Sequence, residues 1–302
     1  MILNVGSRYS ELAQNQAGNV VDLLEKQENV RAELKTMEAA GDKDTESDPG
    51  EFDETGVFTS RLDQKLLDGR FDLVIHSLKD CPTETPEQLE VAAIPPRATP
   101  FDVLIGSLES DLSNLPSGTV IGTSSIRRRA NLLHLNSNIS VESCRGNVPT
   151  RIDKLEDDDT KYDAIVLAAA GLERLELSPK GRMLRRPEML PAPGQGALAV
   201  MCRADKPKIK EIVEAISHRP SEFICRAERS FLSRLEGGCQ APIGAIGRLR
   251  NGTLELTGSV LEPDGNRKLQ DTISGSRDDA ESLGKQLADR LLTDGAGSFL
   301  DR

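Results

Sequence analysis

The sequence predicts an α/β protein that ends in a smaller α+β domain. Three observations lead there. Short apolar runs alternate with stretches of helical periodicity through most of the chain. Several runs, FDLVIHSLKD among them, pass from apolar to polar at their ends, as buried strands of a parallel sheet do when they reach the sheet edge. After Ser221 the pattern changes to one long helix, two turn signals and an alternating strand.

In chain order, Ile2 to Val5 reads as a strand, and Leu12, Ala13, Ala17, Val20, Val21 and Leu24 recur at helical spacing. GDKDTESDPGEFDETG, residues 41 to 56, has charges, glycines and a proline but no periodicity, and is expected to be an exposed, mobile loop. A helix follows through Leu62, Leu66 and Leu67, and then the FDLVIHSLKD strand. Further strands are expected at FDVLIG, TVIGTSS, ISVESC and YDAIVLAAAG, with helices at SIRRRANLLHL and VPTRIDKLED. The proline-bearing AAIPPRATP and LPAPGQGA read either as paired hinges between two α/β halves or as ordinary loops. SEFICRAERSFLSRLEG is a helix, Asn251 and Gly252 open a hairpin, LELTGSV alternates, and Pro263 to Gly265 make a turn. Ala280, Leu283, Leu287 and Leu291 share one face of a closing helix that Gly295 stops.

Composition excludes several classes. A chain of 302 residues is long enough for two or three domains. The N-terminus has no basic region followed by a long apolar run, and no stretch is apolar enough to span a membrane, so a cytoplasmic protein with no membrane partner is expected. Five cysteines without a CxxC or a His/Cys cluster argue against a disulfide framework or a zinc site, and no metal is expected. A net charge of −11 opposes a nucleic-acid partner. The acidic balance reads as a plain acidic surface or as adaptation to high salt.

The chemistry concentrates at strand ends. HSLKD places His76, Ser77, Lys79 and Asp80 at a carboxyl sheet edge, where α/β proteins hold ligands. An aspartate there can stabilise a developing cation or move a proton, and Lys79 can hold an anion; a turn with a surface ion pair fits the spacing equally well. GTSSIRRRANLL puts Arg127, Arg128 and Arg129 in the first turn of a helix, where cations oppose the dipole and a ligand anion would supply the reason. CRGNVPTR adds Arg145 and Arg151 at the next strand-to-helix turn, and the arginines together suggest a carboxylate-rich ligand, against the alternative of a solvated basic face. His134 and His218 read as structural or surface residues. Cys81, Cys144, Cys202 and Cys225 read as packing residues. Cys239 stands apart in EGGCQAPIG, where glycines allow a bulky group to approach; an inert turn cysteine and a reactive one fit alike.

HSLKD, GTSSIRR, RGNVPTR, LAAAGLERL, APGQGA and EGGCQAPIG, in this order and at these separations, resemble the porphobilinogen deaminase (hydroxymethylbilane synthase) family, from GSRYS to the C-terminal domain. The resemblance implies two periplasmic-binding-protein-like α/β domains plus a small C-terminal α+β domain. Their expected bounds are 1–96 with 196–217, then 100–191, then 221–302, with the active cleft between the first two. It implies an enzyme that joins four porphobilinogen molecules into hydroxymethylbilane with release of ammonia, in the cytoplasm and as a monomer. Each substrate would lose ammonia to give an electron-poor azafulvene, which the free α-carbon of the terminal pyrrole attacks. Cys239 would hold a dipyrromethane cofactor through a thioether. Asp80 would be the catalytic carboxylate. Ser77, Lys79, Asp80, Thr123, Ser125, Arg127, Arg128, Arg145 and Gly146 would contact the cofactor, and Arg8, Gln16, Arg151 and Arg174 the substrate.

The chain departs from the family pattern at Glu51 and Thr55, where mobile-loop lysines are common, at Pro149, where glycine is common, and at Glu11, where proline is usual. Pro149 suits a helix start, where its missing N–H costs little. Two readings outside the family stand beside it. A non-catalytic two-lobed binding protein for a carboxylate-rich metabolite would need the arginines but neither Asp80 nor Cys239. A nucleic-acid protein using the Arg127–Arg129 cluster is opposed by charge and by scarce aromatics.

Overall fold

The computed structural model describes residues 1–37, 54–108, 110–235 and 241–300, without the side chains of 54–60. Glu51, Cys239 and the Thr55 side chain therefore lie outside the described residues. The chain divides into two compact units, Met1–Ala98 with Gly196–Glu222, and Thr99–Gln195 with Phe223–Arg302.

In the first unit, β1 (Ile2–Arg8), β2 (Arg31–Met37), β3 (Leu73–Ser77), β4 (Leu89–Ala93) and β10 (Leu198–Arg203) form a sheet in the order β2-β1-β3-β10-β4. β1 is parallel to β2 and β3, whereas β10 is antiparallel to β3 and β4. The sheet is mixed rather than parallel because β10 arrives from the second unit instead of through a crossover helix. Helix α1 (Glu11–Glu25) buries Ala17, Val20 and Leu24 on Leu3, Val5, Leu73 and Ile75, and α6 (Pro207–Glu214) adds Ile209 and Val213 to the same core. Glu11 opens α1, where a carboxylate complements the dipole and a proline is dispensable. Helix α2 (Glu54–Leu67) starts at Glu54, inside the stretch expected to be loop.

The second unit repeats the pattern. β5 (Asp102–Gly106), β6 (Val120–Gly122), β7 (Ser140–Glu142), β8 (Ala164–Ala168) and β9 (Gly181–Leu184) are ordered β7-β6-β8-β5-β9, and again the fourth strand, β5, is antiparallel to its neighbours. Alternate residues of the β5–β8 ladder feed two cores: Leu104 and Val166 pack with Ile121 and Leu132, and Ile105 and Ile165 with Ile152, Leu167 and Leu172. Helices α3 (Ile126–Leu135) and α4 (Val148–Glu156) follow β6 and β7 as expected, and Pro149 falls in the first turn of α4. YDAIVLAAAG is not strand throughout: β8 stops at Ala168, and the alanines, strong helix formers, open α5 (Ala169–Arg174).

The same unit carries the C-terminal α+β part. Helix α7 (Arg219–Arg234) packs on a meander of β11 (Ile243–Arg250), β12 (Thr253–Leu261) and β13 (Lys268–Ser276), closed by α8 (Ala280–Thr293) and the short α9 (Gly297–Leu300). A Cβ at Gly258 would overlap the Phe231 ring, which explains the glycine in mid-strand. Asn251 and Gly252 both have positive φ, 49° and 81°, the hairpin that the Asn-Gly pair announces. Ala280, Leu283, Leu287 and Leu291 are buried as the periodicity requires.

Candidate active site

In the first unit, β1 and β3 are parallel neighbours, so Arg8 and Ser77, their last residues, share one sheet edge. A 3-10 turn over Leu78–Asp80 follows β3; its buried Leu78 donates its N–H to Ala197 O at 3.0 Å, leaving Lys79 and Asp80 half-buried beyond it. Gln16, buried on α1, donates Nε2 to Ser77 Oγ at 3.0 Å. Four residues picked from sequence thus stand around the end of β3, with Arg8 beside them on β1. His76 does not join them: it is buried with Nε2 2.9 Å from Asp63 Oδ1 on α2.

In the second unit, Thr123–Ser125 bridges β6 and α3. Ser125 caps α3 by accepting the Arg128 N–H at 3.4 Å, and Thr123 Oγ1 accepts from Ser125 N at 3.2 Å. One strand further on, Asn147 caps α4 by accepting from Thr150 N at 2.9 Å, and Arg151 Nε donates to Gly146 O at 2.7 Å. Gly146 needs to be glycine, since its φ is +114° and a Cβ would lie 2.9 Å from Thr150 Cγ2. Arg145 is half-buried in this turn, and Arg174 closes α5.

Arg127 and Arg128 are buried and committed. Arg127 NH1 donates to Leu190 O at 2.7 Å and its NH2 lies 2.9 Å from Asp102 Oδ2. Arg128 donates Nε and NH2 to Asp102 Oδ1 at 3.0 and 2.7 Å, and NH1 to Val166 O at 2.8 Å. Arg129 is exposed and bonds Val141 O at 2.7 Å. Part of the reason for cations in this first turn is therefore Asp102, a carboxylate of the protein itself. Sequence reasoning missed it: the only signal was an aspartate at the mouth of an apolar run, with nothing in spacing to join it to residues on another strand-helix unit.

One carboxylate under two guanidiniums leaves positive charge over. Burial, the larger cause, and the nearby charge of Arg128 lower the pKa of Arg151. Burial lowers that of Arg127 too, partly offset by Asp102, and takes Arg174 down to about 10. Such a set gains from a ligand that brings carboxylates.

A family model described as "Porphobilinogen deaminase, dipyromethane cofactor binding domain" matches residues 3–211, and one described as "Porphobilinogen deaminase, C-terminal domain" matches residues 223–293. The chain belongs to the porphobilinogen deaminase family. It is 44% identical to a porphobilinogen deaminase of Moorella thermoacetica over 99% of this chain and 95% of that one. It is equally 44% identical to that of Desulforudis audaxviator, over 99% and 96%, and 40% identical to that of Maridesulfovibrio salexigens, over 99% and 97%. Membership makes the chain a transferase of tetrapyrrole biosynthesis, a hydroxymethylbilane synthase that condenses porphobilinogen with the aid of a dipyrromethane cofactor, and disfavours the non-catalytic binding protein. Among the described residues, no helix is long and apolar enough to cross a membrane.

The residues fit the cofactor the family uses. Dipyrromethane carries acetate and propionate groups, and the surplus of half-buried and buried guanidinium at Arg127, Arg128 and Arg151 over the single Asp102 carboxylate is the donor set such groups match.

Proposed function

We propose that Asp80 is the catalytic carboxylate of hydroxymethylbilane synthesis and that Cys239 carries the dipyrromethane through a thioether. In this reading Ser77, Lys79, Thr123, Ser125, Arg127, Arg128, Arg145 and Gly146 hold the cofactor, and Arg8, Gln16, Arg151 and Arg174 hold porphobilinogen. The observation that carries it is the Leu78–Asp80 turn, which sets a carboxylate and an ammonium side by side, half-buried, at the sheet edge that Arg8 shares. Loss of ammonia from porphobilinogen leaves an electron-poor azafulvene. A carboxylate at a pyrrole nitrogen offsets the positive charge as it develops, and at a half-buried position bulk water screens it less than at an exposed one. Asp80 oxygens can also take the proton released when the new carbon–carbon bond restores aromaticity. Lys79 and the arginines fix the acid side chains, so that only the reacting ring is free to move into place. When bound, the dipyrromethane supplies the free pyrrole α-carbon from which the chain grows.

The reading includes three domains with the bounds given above, a monomer, and a cytoplasmic site of action. Asp80→Asn keeps the shape of the turn but removes the charge, so turnover should fall by roughly 10²- to 10³-fold while melting temperature holds. Cys239→Ser should fold yet weigh no more than its sequence, whereas the wild-type chain should weigh more by one dipyrromethane, on the Cys239 peptide alone. Near-normal turnover in Asp80→Asn, or an unmodified wild-type mass from cells that make porphobilinogen, would overturn it.

A further inference from the structure

Asp102 opens β5 and is 1% exposed. Besides the two guanidiniums, its Oδ1 accepts from Gln195 Nε2 at 3.0 Å. Other donors of the same three side chains go to backbone carbonyls of separate segments: Arg127 to Leu190, Arg128 to Val166 on β8, and Gln195 Nε2 to Pro100 at 2.7 Å. Gln195 also closes a turn, its N–H donating to Ala192 O at 2.9 Å. One carboxylate therefore gathers the first turn of α3, the start of β5 and the segment that leads out of the unit toward β10.

We propose that Asp102 is a positioning residue for the condensation: its carboxylate fixes the guanidiniums of Arg127 and Arg128 in the orientation in which they meet ligand carboxylates, and Gln195 locks that orientation to the Ala192–Gln195 turn. The inference rests on the ligand-binding role given to Arg127 and Arg128 above. Two like charges in consecutive positions at a helix N-terminus repel each other and oppose the dipole. Left to themselves, both guanidiniums would swing toward water. A carboxylate between them holds both in place and leaves the pair one positive charge in excess, which a ligand can still claim. A neutral amide of the same shape cannot do this, because it offers one acceptor oxygen and turns N–H groups toward N–H groups.

The test compares Asp102→Asn, Asp102→Glu and Gln195→Leu with the wild-type full chain by thermal unfolding, by the fraction of chains carrying the primer in intact mass spectra, and by kcat and KM for porphobilinogen per loaded chain. Loss of an oriented, charge-assisted grip should raise KM about tenfold in Asp102→Asn and lower primer loading. Asp102→Glu, which keeps the charge one methylene away, should recover part of the KM, and Gln195→Leu should raise KM less than Asp102→Asn. A lower melting temperature with unchanged KM and primer loading in Asp102→Asn would mean a merely structural ion pair and would overturn the proposal. Should Asp102→Asn not fold, the decision passes to Asp102→Glu and Gln195→Leu, and wild-type KM and loading in both overturn it. Asp80→Asn, run alongside, separates the two levels. If it keeps turnover, the functional reading above fails; if it loses turnover while the Asp102 variants keep KM and loading, only the positioning role fails.

Discussion

Glu228 offers a stability prediction that can be worked from distances. It lies on α7 at 0% exposure, its Oε2 accepting from Gly194 N at 2.7 Å and its Oε1 from Gly247 N at 2.9 Å. One carboxyl thus ties the Ala192–Gln195 turn region and β11 to a single helix. Glu228→Ala leaves two buried backbone donors unsatisfied, at about 1–3 kcal/mol each, so a loss of about 2–6 kcal/mol is expected. Glu228→Gln keeps the volume and one acceptor but faces an amide N–H to a backbone N–H, and should lose about half as much. Denaturant titration at fixed ionic strength measures both, with the midpoint moving and the slope unchanged. A loss under about 1 kcal/mol in Glu228→Ala, or equal losses in both variants, would show that the carboxyl does not act through these two bonds.

Gly146→Ala forces a side chain onto a φ of +114° and against Thr150, so it should cost about 1–3 kcal/mol and raise KM through the Arg145 turn. Gly118→Ala, with a φ of +84° but nothing within 4 Å, should strain the backbone and leave KM alone; equal KM changes would refute the distinction. Burial brings Arg174 down to about 10, so over the range just above that value the unfolded chain holds a proton the folded chain has lost, and this group's penalty on folding fades as pH rises through about 10. Substrate affinity should fall over the same window, and an Arg174→Gln enzyme should lack that fall. With Cys81, Cys144, Cys202 and Cys225 buried, and burial pushing the Cys202 thiol up to about 11, alkylation of the loaded native protein should mark none of them. The net charge of −11 implies self-repulsion, so melting temperature should rise from low to molar salt; a flat or falling trend removes the high-salt interpretation.

Much of the fold was legible because it rests on local periodicity. Helices α1, α3, α4, α7 and α8 each show an apolar face, and the Asn251-Gly252 and Pro263–Gly265 turns announce their hairpins. The elements that escaped, β2, β4, β9, β10, α5 and α6, are short, edge-placed or apolar on both faces. β2 is an edge strand with most residues exposed and so has no alternation to read. β10 is buried almost throughout, as a central strand between β3 and β4 must be, and its antiparallel direction depends on where the chain has come from, which no window of sequence records.

The site divides along the same line. Ser77, Lys79 and Asp80 follow from the expected end of the FDLVIHSLKD strand, whereas Thr123, Ser125 and Gly146 were singled out by the family resemblance and lie in strand-to-helix turns. The state of Arg127 and Arg128 could not be read in either way. Their place in a helix first turn correctly signalled a nearby anion, since the dipole alone makes three consecutive cations unfavourable there, but sequence cannot tell a ligand carboxylate from one of the protein's own. Asp102 resolves this: it supplies one anion to two cations. Full neutralisation would have removed any need for a ligand, and no neutralisation would have left two buried charges that the fold could not hold. The intermediate case, one carboxylate shared, is foldable empty and leaves one guanidinium charge over, which on the proposed reading the acid groups of a pyrrole would meet.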